Sequence, residues 1–139
     1  MKTEYSTLFQ PMIDALEDVM EINAVILFGS RARGDALPHS DYDVVVIGNF
    51  TQTYFNRLDI VGRLAPPVAI DLFCYTPREF EAMFESYNIT AIDSIGDGIV
   101  LHGHEFVGSY KERYDSFVQH GMRKGRAVLY PPREAISSY

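Results

Sequence analysis

Residues 24–28, AVILF, are apolar at every position, and the run stops at Gly29-Ser30. A strand with one solvated face alternates polar and apolar side chains. A strand that is apolar throughout has to be covered, so this run belongs inside a sheet that other elements bury. Residues 43–47 repeat the signal and end at Gly48-Asn49, and VAIDLFCY, 68–75, repeats it again before Thr76-Pro77. Around these runs the period becomes helical. Met12, Ile13, Leu16, Val19 and Met20 share one helical face, with Pro11 expected near the start of that helix. Residues 54–64 read as a second helix, stopped by Pro66-Pro67. Thr76-Pro77-Arg78-Glu79 is a capping box with proline at the first helical position, and predicts a helix of about ten residues after it.

The helical pattern resumes over 89–95, and GDGIVLHG, 96–103, reads as a turn and a short strand. Phe106, Tyr110, Tyr114, Phe117 and Val118 then form a stripe that predicts a C-terminal helix to about Gly121. The remainder, MRKGRAVLYPPREAISSY, is weakly patterned, and is expected to be an extended tail that packs on the domain or docks on a partner. Strands alternating with helices give an α/β domain in which helices cover a buried sheet. Strand order does not follow from this pattern.

At 139 residues the chain is expected to be one domain, 1–139. Its net charge of −7 argues against a surface built to grip a nucleic-acid backbone. The imbalance is uneven: residues 1–103 hold 6 basic and 15 acidic side chains, whereas 104–139 hold 6 and 4, leaving room for a local basic patch at Arg123, Lys124 and Arg126. The single cysteine, Cys74, lies in an apolar run and forms no internal disulfide. The N-terminus carries acidic residues where a secretory signal needs an apolar centre. No run approaches the roughly 18 apolar residues of a membrane span, so a soluble, cytoplasmic protein is expected.

The chemistry concentrates in FGSRARGDALPHSDYDVVVIG, 28–48. Successive strand side chains point to opposite faces, so Asp41 and Asp43 project the same way. Like charges so close are unfavourable unless a cation sits between them, and a hard divalent ion such as Mg²⁺ takes one or two carboxylates together with substrate phosphate oxygens. The bland alternative makes Asp41 a cap and Asp43 a solvent-facing strand start. Three neighbours weigh against it. Gly29-Ser30 follows a buried strand, where glycine permits close backbone approach and the next amides and the Ser30 hydroxyl can cradle phosphate. Arg31 and Arg33 add cationic donors in the same loop. Asp71 places a third carboxylate in a strand expected to be otherwise buried, where an unpaired charge would cost several kcal/mol. An arginine salt bridge is the simpler account of Asp71. Three carboxylates on adjacent strands would instead suit two divalent ions about 3.5 to 4 Å apart, one activating an attacking hydroxyl and the other neutralising a triphosphate.

GSRARGDALPHSDYD, 29–43, resembles the nucleotidyltransferase motif of the polymerase-β superfamily, Gly-Ser followed after ten residues by Asp-x-Asp. The chain is most similar to the minimal nucleotidyltransferases, over about residues 24–103. The resemblance implies a polymerase-β-like core, a mixed sheet with helices packed on it, followed by a C-terminal helix and tail over 104–139. It also implies that Asp41 and Asp43 bind two Mg²⁺ ions, and that Asp71 completes the metal site and serves or assists as general base. Gly29 and Ser30 would hold the β and γ phosphates and Arg33 would contact the triphosphate. Arg31 matches a variable position of the motif, and Ser40 is expected to position the loop rather than react. The implied reaction is Mg²⁺-dependent transfer of AMP from ATP to a hydroxyl, in the first place a tyrosine of a HEPN-type helical toxin, with this chain as antitoxin. A small-molecule nucleotidyltransferase of the aminoglycoside type is the alternative enzyme, with only 36 residues after Gly103 to supply its extra helical domain. An idle binding module that neutralises a partner by contact is the non-enzyme rival, and self-association stays open.

The other candidates read as structural. His102 and His104 could bind a metal but, without an adjacent carboxylate or cysteine set, read as polar surface residues; His39, beside the acidic pair, reads as a loop residue with nucleotide contact as the alternative; and His120 has no supporting context. Cys74 reads as a small core residue, and Arg123, Lys124 and Arg126 as a solvated turn.

Overall fold

The structure, a computed structural model, describes residues 2–125 and 128–133. The elements run α1 (Lys2–Glu17), β1 (Ile22–Phe28), α2 (Ser30–Arg33), β2 (Tyr42–Gly48), α3 (Tyr54–Leu64), β3 (Ile70–Tyr75), α4 (Pro77–Glu85), α5 (Ile89–Asp97), β4 (Ile99–His102), α6 (His104–Gln119), β5 (Arg123–Lys124) and β6 (Leu129–Tyr130). The main sheet has the order β3-β2-β1-β4. β1 pairs antiparallel with both β2 and β4, and β2 pairs parallel with β3, so the sheet is mixed.

The apolar strands stand where their composition requires. β1 and β2 are the two central strands, and Val25, Ile26, Leu27, Val44, Val45, Val46 and Ile47 have no exposed surface. Alternation then divides them between two cores. Val25, Leu27, Val44 and Val46 face α1 and α3, meeting Phe9, Met12, Ile13, Leu16 and Val61. Ala24, Ile26, Val45 and Ile47 face α4, α5 and α6, meeting Phe80, Phe84, Ile92, Ile95, Tyr110 and Phe117. Among the described residues no helix is long and apolar enough to cross a membrane.

Three expectations change. The first helix begins at Lys2, so Pro11 lies inside it rather than near its start. Its ring falls on the exposed side, while Phe9, Met12, Ile13 and Leu16 keep the buried stripe. The second change concerns β3. It is an edge strand and Asp71 is exposed, not a charge enclosed in a buried strand. Two covered neighbours bury a central strand, whereas Asp71 has only β2 beside it. The third change is in the tail, which packs on the domain as one of its two expected outcomes but is not simply extended: β5 and β6 pair antiparallel, Arg123 with Tyr130 and Lys124 with Leu129. Met122 is buried, Leu129 packs on the α4–α6 core, and the Lys124 ammonium meets Asp93 at 2.5 Å and Asp97 at 2.8 Å. Lys124 is therefore committed to two α5 carboxylates rather than solvated, while Arg126 lies outside the described residues.

Candidate active site

β1 delivers the chain to Gly29 at the end of the sheet where β2 and β3 begin, because β1 runs against β2 and β2 runs with β3. Gly29 has φ 76°, a conformation that side chains resist. A Cβ there would collide with the Asp43 carboxylate, so glycine allows the turn to lie directly against that acid. Ser30 opens the four-residue α2, and Gly34, with φ 82°, closes it by donating its N–H to the Ser30 carbonyl.

The carboxylates gather from two parallel strands. Asp43 and Asp71 are register partners across β2 and β3, with side chains on the same face as Val45 and Phe73. Asp41 lies just before β2, exposed. Asp43 is half-buried, and its pKa is raised first by desolvation, then by the charges of Asp71 and Asp41 and by a hydrogen bond with Asp71, against a smaller lowering by Arg33. Asp71, Asp41 and Arg33 therefore all act on Asp43. Asp71 holds no arginine salt bridge among the described ion pairs; its neighbour is another acid.

Whether such a set fits divalent ions turns on its chemistry. Among the described residues no three His, Cys, Asp or Glu side chains form a ready-made ligating cage. What the structure does hold is hard carboxylate oxygens in one place, with the charges of Asp71 and Asp41 raising the proton affinity of Asp43, the arrangement that a hard cation relieves. Carboxylate oxygens are the donor type that a hard ion such as Mg²⁺ takes.

The two arginines of the loop have different surroundings. Arg33 is exposed and makes a long ion pair with Asp35, 3.4 Å, leaving its guanidinium open to solvent beside Asp43. Arg31 turns the other way. It donates from Nε and Nη2 to the Ser40 carbonyl at 3.2 and 2.8 Å and from Nη2 to the Pro38 carbonyl at 3.2 Å, and it stacks over the Tyr42 ring at 4.4 Å. The Ser40 hydroxyl accepts the Leu37 N–H at 2.9 Å, which ties the same loop from within. Tyr42 is the residue that sequence reasoning missed. Its place between two aspartates in D-Y-D was the available signal, because alternation sends it to the opposite face, where Tyr5 and Phe9 of α1 pack edge-on against it.

The remaining candidates are structural. Nε2 of His102 stands 3.4 Å from Glu17, joining β4 to α1, and Cys74 is fully buried with its thiol pushed up to about 12 by desolvation.

Residues 10–75 match the family model described as polymerase beta, nucleotidyltransferase. No curated protein matches the chain. Among solved structures, a toxin-antitoxin with AMP-PNP is similar at TM-score 0.56 and 20% identity, over 80% of this chain and 86% of that one. A mutant of the toxin-antitoxin MntA-HpeT is similar at TM-score 0.52 and 16% identity, over 86% and 88%. A candidate nucleotidyltransferase from Sulfolobus solfataricus is similar at TM-score 0.51 and 20% identity, over 71% and 80%. At these identities the likenesses describe the fold.

Proposed function

We propose, from the premise that residues 10–75 carry a polymerase-β nucleotidyltransferase domain, that the protein transfers AMP from ATP to a tyrosine hydroxyl of a HEPN-type helical toxin, and so acts in the cytoplasm as that toxin's antitoxin. The observation that carries the reading is the meeting of Asp41, Asp43 and Asp71 at the Gly29-Ser30 turn. The AMP-PNP complex among the similar folds supports a nucleoside triphosphate, and the toxin-antitoxin assemblies support a toxin partner.

In this reading Asp41, Asp43 and Asp71 hold two Mg²⁺ ions, which would supply charge neutralisation on the triphosphate and acidify the acceptor hydroxyl. Gly29 and Ser30 hold the β and γ phosphates, the glycine because its bare backbone lets the turn lie against Asp43. Arg33, open to solvent on the same side, contacts the triphosphate. Asp71 stands exposed at the start of an edge strand, where an incoming side chain can reach it, and takes the acceptor's proton. The acceptor oxygen bonds to the α phosphorus, the α–β anhydride breaks, and pyrophosphate leaves with the electron pair.

The test is to incubate the protein with Mg²⁺, labelled ATP and the candidate toxin. Label is expected on a toxin tyrosine, with a loss on the order of 10³-fold in an Asp41→Ala/Asp43→Ala double variant. Equal neutralisation of the toxin by wild type and double variant would make the protein a contact inhibitor. Label on a small alcohol but never on protein would move the substrate to the aminoglycoside type.

A further inference from the structure

The Arg31 contacts bear on Asp41. Asp41 lies outside the strand and is exposed, so neither the sheet ladder nor core packing holds it. Its two flanking peptide groups are held instead. On one side the Ser40 carbonyl accepts both Arg31 bonds, at 3.2 and 2.8 Å. On the other the Tyr42 N–H donates to the Ala69 carbonyl at 2.9 Å, two residues before Asp71. The Tyr42 ring then serves as the floor on which the Arg31 guanidinium stacks, and Tyr5 and Phe9 of α1 hold that ring from the side. The Tyr5 hydroxyl also makes a long contact, 3.5 Å, with the Arg31 carbonyl.

We propose that Arg31 is a positioning residue that fixes Asp41 for metal binding through the Ser40 carbonyl, and not a ligand of the triphosphate. The inference rests on the nucleotidyltransferase reading of the site. A planar guanidinium presents its donors as a fixed fork and stacks on an aromatic face, and each donor that it gives to Ser40 or Pro38 is unavailable to phosphate. Among the described residues Arg33, two residues on, is bonded to Asp35 alone and at long range, which leaves its guanidinium to face solvent beside Asp43 for that task. The two arginines of SRARG thus divide the work, one inward on the loop and one outward on the substrate.

The division is tested with Arg31→Met and Arg33→Met on the full chain. Mn²⁺ binding is read by electron paramagnetic resonance without nucleotide, and KM for ATP is read at saturating Mg²⁺. Arg31→Met is expected to weaken Mn²⁺ binding about tenfold, the usual cost of losing a group that orients a metal ligand, and to leave KM for ATP within about twofold. Arg33→Met is expected to do the reverse. Amide exchange at residues 38–42 should speed up in metal-free Arg31→Met alone, with the melting temperature almost unchanged. If Arg31→Met leaves Mn²⁺ affinity intact while raising KM for ATP, Arg31 is a phosphate ligand and the inference fails, although the site stands. If wild type binds no Mn²⁺ and transfers no nucleotide, the reading of the site falls and the inference falls with it.

Discussion

Asp43 shows what the site costs the fold. Desolvation, and then the charges of Asp71 and Asp41, raise its pKa above the ordinary 3.8. A carboxyl whose pKa is raised by folding contributes stability below its unfolded pKa, and that contribution is lost as pH rises through the folded value. Above that folded value the metal-free protein carries an ionised group that it would be more stable without. Asp43→Asn is expected to stabilise the metal-free protein at pH 7 by about 0.5 kcal/mol, a modest figure because solvent screens a half-exposed group, or roughly 2 °C in melting temperature. The gain should vanish near pH 3, where wild-type Asp43 is protonated, and transfer activity should be lost at every pH. Thermal melts in EDTA across that range check this. A variant less stable than wild type at pH 7 would mean that Asp43 is held by bonds, not strained by neighbours. The Asp41–Asp43 conflict was legible in D-Y-D alone, since the strand period puts both on one face. That Asp71 adds to it depended on the β2–β3 register, which no local pattern states.

At the scale of elements, α4 is fastened by two acids of opposite outlook. Glu79 closes the capping box on Thr76 and also reaches Arg57 of α3 at 2.6 Å. Arg57 is buried, and it also donates to the Gln52 and Cys74 carbonyls. Glu81 faces α6, taking two bonds from Arg113, 2.7 and 2.8 Å, and one from the Tyr110 hydroxyl, 2.9 Å. The Arg57 bond lowers the Glu79 pKa, and the Arg113 bond lowers that of Glu81 to about 2. The sign is opposite to that of Asp43. Stability from a depressed carboxyl is present above its unfolded pKa, 4.5 for both, and is lost as pH falls through the folded value, about 2 for Glu81. Glu81→Gln should cost about 1 kcal/mol at pH 7 and almost nothing at pH 2. Glu79→Ala should cost about 2–3 kcal/mol at pH 7, since the cap goes and Arg57 is left short of its partner. Urea melts at the two pH values separate the cases, and a Glu81→Gln cost that persists at pH 2 would assign that residue a packing role. The capping box was readable from Thr76-Pro77-Arg78-Glu79. The second task of Glu79 was not, because its arginine is 22 residues away on another helix.

The whole molecule brings these scales together, because the proposed ligands come from separate elements. Gly29 and Ser30 follow β1, Arg33 ends α2, Asp41 stands just before β2, Asp43 lies near its start, and Asp71 lies at the start of β3. The first five lie within 15 residues of sequence, which is why the motif could be read before the fold. The exposure of Asp71 could not, since it depends on β3 being the sheet edge. A ligand that contacts all of them binds only the folded chain, so its binding energy becomes folding energy. Mg²⁺ with a non-hydrolysable ATP analogue at about 100 times its dissociation constant should add about 2.7 kcal/mol, raising the melting temperature by roughly 8 °C. Part of that gain answers the repulsion at Asp43, so it should be larger at pH 7 than at pH 4, where the acid is partly protonated and metal must displace its proton. The Asp41→Ala/Asp43→Ala variant should show less than a quarter of the shift at either pH. A shift equal in wild type and variant would put the nucleotide somewhere other than the Gly29-Ser30 turn. A shift in wild type with analogue alone, unchanged by Mg²⁺, would leave the nucleotide in place and remove the metal from its binding.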